Sequence, residues 1–113
     1  MNPELKKAIR NLRSASKESG KAIWKKLADE LDRPKRRRIS LNLSNINRHT
    51  EAGDVVAVPG KVLSSGSLSH PVTVAAYSFS EAAKEKISSA EGRVMTLIAL
   101  VGEVEPSKIK ILK

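Results

Sequence analysis

The sequence contains no cysteine, so disulfides, thiolate zinc sites, iron–sulfur clusters and a thiol nucleophile are all excluded. Two histidines, His49 and His70, are too few for a histidine-rich metal centre. Only three aromatic residues are present, Trp24, Tyr77 and Phe79. Proteins that read single strands usually stack bases on several exposed rings, so shape and phosphate recognition suit this chain better. No apolar run exceeds about six residues, against about eighteen for a membrane-spanning helix. The opening Met1-Asn2-Pro3-Glu4-Leu5-Lys6-Lys7 has no apolar stretch behind it, so no signal peptide is expected and a cytoplasmic protein is. A length of 113 residues suits one domain with a modest core and little mass for a deep substrate cleft.

Positive charge is what the sequence has in excess. Lys and Arg total 21 against 12 Asp and Glu, a net +9. Residues 1–48 hold 14 basic and 5 acidic side chains, and residues 49–113 hold 7 of each. The whole excess therefore sits in the first 48 residues. Evenly mixed surface charge does not segregate in this way, whereas a polyanion-binding arm or face does. A basic tail kept for solubility is the alternative, but the basic half also carries core-type patterning. The expected organisation is one domain over 1–113, with a basic helical part (1–48) and a charge-neutral α/β core (49–113).

Periodicity divides the chain further. Asn2 suits a helix cap, Pro3 the first helical position and Glu4 the positive end of the helix dipole. Leu5, Ala8, Ile9, Leu12 and Ala15 share one helical face, with Lys6, Lys7, Arg10 and Arg13 pointing away. After Ser19-Gly20 a second stripe follows, formed by Ile23, Trp24, Leu27, Ala28 and Leu31, and Pro34 ends it. Residues 39–43 alternate like a short strand, and 44–48 suit one helical turn carrying Ile46. Strands are predicted at 55–58, bounded by Pro59-Gly60, and again at 61–63 and 72–77. Ser78 or Ser80 caps a helix running to about Ala90, with Ala83 and Ile87 inward. A strand at 93–96, a short helix at 97–101 and a last strand at 109–112 complete an α+β chain.

The segment Arg33-Pro34-Lys35-Arg36-Arg37-Arg38 is the densest charge in the protein. Cations on an extended, proline-interrupted segment can track a phosphodiester backbone, and arginine can bond two phosphate oxygens at once. A nuclear-import signal or a solvated charge run would have the same composition; a nucleic-acid partner is expected. The three aromatics fit core positions better than stacking positions. Pro59-Gly60-Lys61-Val62 lacks the upstream glycine and the Ser/Thr of a nucleotide-binding loop. Its backbone amides, with those near Gly66 and with Lys61 beside them, remain suited to an RNA phosphate. Ser69-His70 is no evidence of a catalytic triad, because a triad is assembled in space and no orienting carboxylate is marked. His70, before Pro71, is a turn residue or a further RNA contact. Glu81 and Glu85 lie four apart on a helix and suit pairing with lysines.

The runs Asn42-Leu43-Ser44-Asn45-Ile46-Asn47-Arg48, Gly53-Asp54-Val55-Val56, Val58-Pro59-Gly60-Lys61-Val62-Leu63 and Val72-Thr73-Val74-Ala75-Ala76 resemble the archaeal and eukaryotic large-subunit ribosomal protein L-eighteen-e family. The resemblance covers essentially the whole chain, and the block from 59 to 76 is its most specific part. It implies an irregular strand–strand–helix superhelix behind the basic helices, a core shared with bacterial ribosomal protein L-fifteen. It further implies a structural constituent of the large subunit that binds ribosomal RNA and meets neighbouring ribosomal proteins. No catalysis, cofactor, metal, membrane or small-molecule substrate is expected. Arg33, Lys35, Arg36, Arg37, Arg38, Arg48 and Lys61 are the expected RNA contacts, with Arg10, Arg13, Lys21, Lys25 and His70 as additions. The absence of a long basic tail after Lys113 suits an archaeal member. A DNA-compacting chromatin-type protein is the runner-up; it would share the basic arm but be indifferent to RNA structure.

Overall fold

The first helix, α1 (Pro3–Ser19), forms because its apolar residues recur every three or four positions, and it buries Leu5, Ile9, Leu12 and Ala15. Helix α2 (Ala22–Leu31) does the same with Trp24, Leu27, Ala28 and Leu31. Helix α2, at 10 residues, is too short to be stable alone, and burial of both apolar stripes holds the pair in place. The computed structural model describes residues 3–34 and 39–113; the expected Asn2 cap lies outside the described residues.

Behind the helices lies a parallel sheet. Its elements run β1 (Ile39–Asn42), α3 (Leu43–Arg48), β2 (Val55–Leu63), β3 (Thr73–Phe79), α4 (Glu81–Ser89), β4 (Arg93–Thr96), α5 (Leu97–Glu103) and β5 (Ile109–Ile111), with a 3-10 turn at Pro106–Lys108. Strand β2 is central. One edge pairs with β3, which pairs in turn with β4. The other edge is shared end to end: β5 takes Val55 to Ala57, and β1 takes Gly60 to Leu63. Every pairing is parallel. The chain is thus α+β, with leading helices and a parallel sheet, as its periodicity indicates.

Strand alternation sorts the core into two layers. Ala57, Ala75 and Met95 face α1, α2 and α5, in a cluster with Leu5, Leu12, Trp24, Leu27, Leu97 and Leu100. Val56, Val58, Val62, Val74 and Ala76 face the other way, against Leu43 and Ile46 of α3 and Ala83 and Ile87 of α4. The small Ala57 and Ala75 side chains let the large residues of α1 and α2 lie close to the sheet. Helix ends follow the expected chemistry: Ser80 Oγ accepts from the Ala83 N–H at 3.2 Å, and Asn42 and Asn45 form a reciprocal capping box at α3.

Pro59-Gly60 does not end a strand, as the sequence had indicated; β2 continues through both residues. The register against β3 slips between Val58 and Lys61, so the proline sits in a bulge where a missing N–H is tolerated. Gly60 is required for a different reason. A Cβ there would meet the Ile39 carbonyl oxygen at 2.0 Å, so β1 can pair only with glycine at this position. Gly102, inside α5, has nothing within 4 Å of its own hypothetical Cβ. Gly60→Ala is expected to cost about 3 kcal/mol or more, or to detach β1. Gly102→Ala is expected to be neutral or to stabilise by up to about 1 kcal/mol. Urea denaturation of the two variants checks both, and equal midpoints would contradict the close-approach argument.

Candidate nucleic-acid interface

Burying one stripe of α1 forces the rest of that helix outward. Lys6, Arg10, Arg13 and Lys17 follow each other at spacings of four, three and four, which places them on a single face along about 16 Å of helix. All four are exposed. Lys6, Arg10, Arg13, Ser14 and Lys17 line a shallow groove of 530 Å³, whose one acidic wall residue is Asp32. Lys7 extends the positive surface one residue further around the helix.

The cations divide by what they touch. Arg13 Nη2 lies 2.9 Å from Asp32 Oδ2 and 3.5 Å from Asp29 Oδ1, so it ties α1 to the end of α2. The Asp32 hydrogen bond holds the Arg13 guanidinium above its ordinary pKa, with Asp29 adding to the effect. Lys25 Nζ sits 3.0 Å from Asp29 Oδ2, one helical turn on. Arg33 Nη2 is 3.1 Å from Glu30 Oε1, a carboxylate that also accepts from Lys113 Nζ at 3.1 Å. Glu30 is buried, and two cations offset the cost of that burial. By contrast, Lys6, Lys7, Arg10, Lys17, Lys21, Lys26, Arg48 and Lys61 carry no ion pair among the described residues. Most of these uncompensated charges lie on α1 and α2.

Arg10, Arg13, Lys21 and Lys25 belong to this helical layer, and Arg33 follows α2 directly. Lys35, Arg36, Arg37 and Arg38 lie outside the described residues. Arg48 closes α3, on the opposite face of the sheet, and is not brought together with the α1 stripe. Lys61 is exposed on β2, beside the buried Val62, rather than in a loop. The amide of Gly60 likewise belongs to the strand and not to a phosphate-binding turn. Near Gly66 the loop is already clamped: Lys86 Nζ donates to the Ser64 and Gly66 carbonyls at 2.8 and 2.9 Å. His70 is held internally. Thr50 Oγ1 donates to the Ile46 carbonyl at 2.7 Å, which leaves its oxygen to accept from His70 Nε2–H at 2.8 Å. Trp24 is a core residue, while Tyr77 and Phe79 are half-buried at the margins of the two clusters. Lys6 and Lys17 complete the α1 stripe but are absent from the cations singled out by composition; their spacing with Arg10 and Arg13 is the signal that finds them.

Among the described residues no group of His, Asp or Glu could hold a metal ion, and no helix is long and apolar enough to cross a membrane. A helical face of uncompensated cations, fixed on a packed sheet, is chemically suited to a polyanion. Residues 21–95 match a family described as ribosomal proteins 50S-L15, 50S-L18e and 60S-L27A. The chain is 50% identical over 113 residues to large ribosomal subunit protein eL18 of Methanothermobacter thermautotrophicus, covering 99% of this chain and 93% of that one. It is 46% identical over 105 residues to the protein of the same name from Sulfolobus acidocaldarius (93% and 89% covered), and 41% identical over 112 residues to that of Methanococcus maripaludis (98% and 93% covered). The chain belongs to this family of large-subunit ribosomal proteins.

Away from the helices, Lys110 Nζ lies 2.8 Å from Asp54 Oδ2 and ties β5 to the turn before β2. This hydrogen bond, with the Glu51 N–H, holds the Asp54 carboxyl below its ordinary pKa. Asp29 is lowered in the same direction, first by Lys25 and then by Arg13. A carboxylate whose folded pKa is depressed stabilises the fold fully above its unfolded pKa and loses that contribution as pH falls through the folded value. The urea midpoint is therefore expected to stay level from pH 7 to about pH 5 and to fall below about pH 4. Asp54→Asn should lower the midpoint at pH 7 and flatten part of the acid limb. A midpoint that rises on acidification would contradict the assignment.

Proposed function

We propose that this chain is a structural constituent of the large ribosomal subunit that binds and stabilises large-subunit ribosomal RNA through its basic N-terminal half. The observation that carries the reading is the uncompensated cation face of α1 and α2, in a chain of this family. Positive charge there offsets phosphate repulsion where RNA helices approach one another, and the packed sheet fixes where that charge sits. Arg10, Lys21, Arg48 and Lys61 contact phosphate directly, joined by Lys6 and Lys17. Arg13, Lys25 and Arg33 contact it while holding their carboxylate partners in place. Lys35, Arg36, Arg37 and Arg38 follow the RNA backbone in the segment after α2, and His70, its Nε2 held by Thr50, meets RNA with the accessible part of its ring at the loop before β3.

The whole chain acts as one domain, its neutral residues 49–113 positioning the basic ones. The β2–β3–α4 succession is one turn of the irregular strand–strand–helix superhelix expected of the family. The protein works without catalysis or a cofactor, on cytoplasmic ribosomes, beside other large-subunit proteins, and it is archaeal in type.

The test is salt-dependent binding to folded large-subunit ribosomal RNA. Replacing Lys6, Arg10 and Lys17 together with Gln should lower affinity and reduce the slope of log K against log salt by about two to three. Neutralising Arg36, Arg37 and Arg38 should act in the same direction, with the urea midpoint unchanged. Unchanged slopes in both variants would overturn the reading.

A further inference from the structure

We propose that a cleft between α1 and the carboxyl ends of β3 and β4 receives a single unstacked RNA base, a site that rests on the RNA-binding reading above and gives it a point of base recognition. The cleft has a volume of 390 Å³, within the range of small-molecule sites. It opens just beyond the Ala76–Thr96 pair, where β4 ends and its pairing with β3 stops. Ligands of parallel sheets bind at carboxyl ends because the backbone there turns away and leaves a crevice. Leu97 and Ile98 supply apolar walls, and Tyr77, Lys7 and Asn11 supply the chemistry.

Tyr77 packs against the core without being covered by it. Its hydroxyl makes no hydrogen bond among the described residues, and neither does the Asn11 amide. A half-buried aromatic ring beside an amide with free donors and acceptors suits a planar, edge-polar ligand: the ring stacks on the base, and the amide meets its edge. Lys7 and Asn11 are one helical turn apart on α1, and each directly follows a cation of the α1 stripe, Lys6 or Arg10. Lys7 carries the positive surface from that stripe around α1 to the mouth of the cleft, so a strand crossing the helix there reaches it. Lys7, exposed and without an ion pair, stands where the phosphate of the inserted nucleotide would lie. Phosphate itself is a poorer occupant, since Glu4 also lines the cleft. A base within a duplex is stacked on both faces and cannot enter, so the site selects a bulged or looped nucleotide.

Two RNA hairpins test this, identical except that one carries a single-nucleotide bulge, each measured against the full chain at 150 mM salt. The bulged hairpin is expected to bind on the order of tenfold more tightly, the scale of one base–aromatic stack. Tyr77→Leu should abolish that preference while leaving affinity for the paired hairpin unchanged, and Tyr77→Phe should retain it. Asn11→Ala, at a position outside the core, should change which of the four bulged bases binds best. Equal affinity of the wild-type protein for the two hairpins would overturn the base site while leaving the cation face standing. A preference that persists in Tyr77→Leu would also overturn it. Failure of both hairpins to bind would remove the RNA-binding reading and the base site together.

Discussion

Packing of α1 and α2 onto the small-residue strip of the sheet is the constraint on which the remaining features depend. Ala57 and Ala75 leave room for Leu5, Leu12, Trp24, Leu27 and Leu31 to close over β2 and β3. Once that apolar surface is buried, the cations of both helices have no direction left but solvent. Hydrophobic burial, rather than any attraction among charges, thus orients a face whose like charges repel one another. The energetic logic is that of charge carried on a packed support: the apolar stripe anchors, and the opposite stripe presents its cations to solvent.

Internal ion pairs refine that face. Arg13 reaches across to Asp29 and Asp32, and Glu30 gathers Arg33 and the distant Lys113. The exposed Arg13 pairs contribute little stability individually and the cations at Glu30 mainly offset its burial, so the value of both sets lies in geometry more than in energy. They hold α2 against α1 and the last residue of the chain against α2. The cations left over are the ones free to meet an external anion. Arg13 nevertheless stands between Arg10 and Lys17, so paired and unpaired cations share one face of α1.

Local patterns made much of this visible in the sequence. The apolar stripes of α1 and α2, the Ser80 cap and the inward Ala83 and Ile87 all follow from spacing within a few residues. The continuity of β2 did not. Pro59-Gly60 has the composition of a turn, and only pairing of Ile39 with Gly60 and a bulge against β3 explains why the strand runs on. Pairing of β5 with β2 was equally hidden, because it joins segments more than fifty residues apart, tied by Lys110 and Asp54. For the candidate site, the total charge and its location were legible, but not which cations are spoken for. Arg13 is 16 and 19 residues from its carboxylates, and Lys113 is 83 from Glu30. No local signal encodes such partners.

The most direct measurement is competition binding: folded large-subunit ribosomal RNA against duplex DNA of equal phosphate content, followed as salt is raised to 200 mM. A shaped site on a rigid support predicts that the RNA remains bound at that salt and that DNA competes poorly. Equal competition by DNA, with all binding lost at 200 mM salt, would contradict the account and leave a generic polyanion binder of the chromatin type.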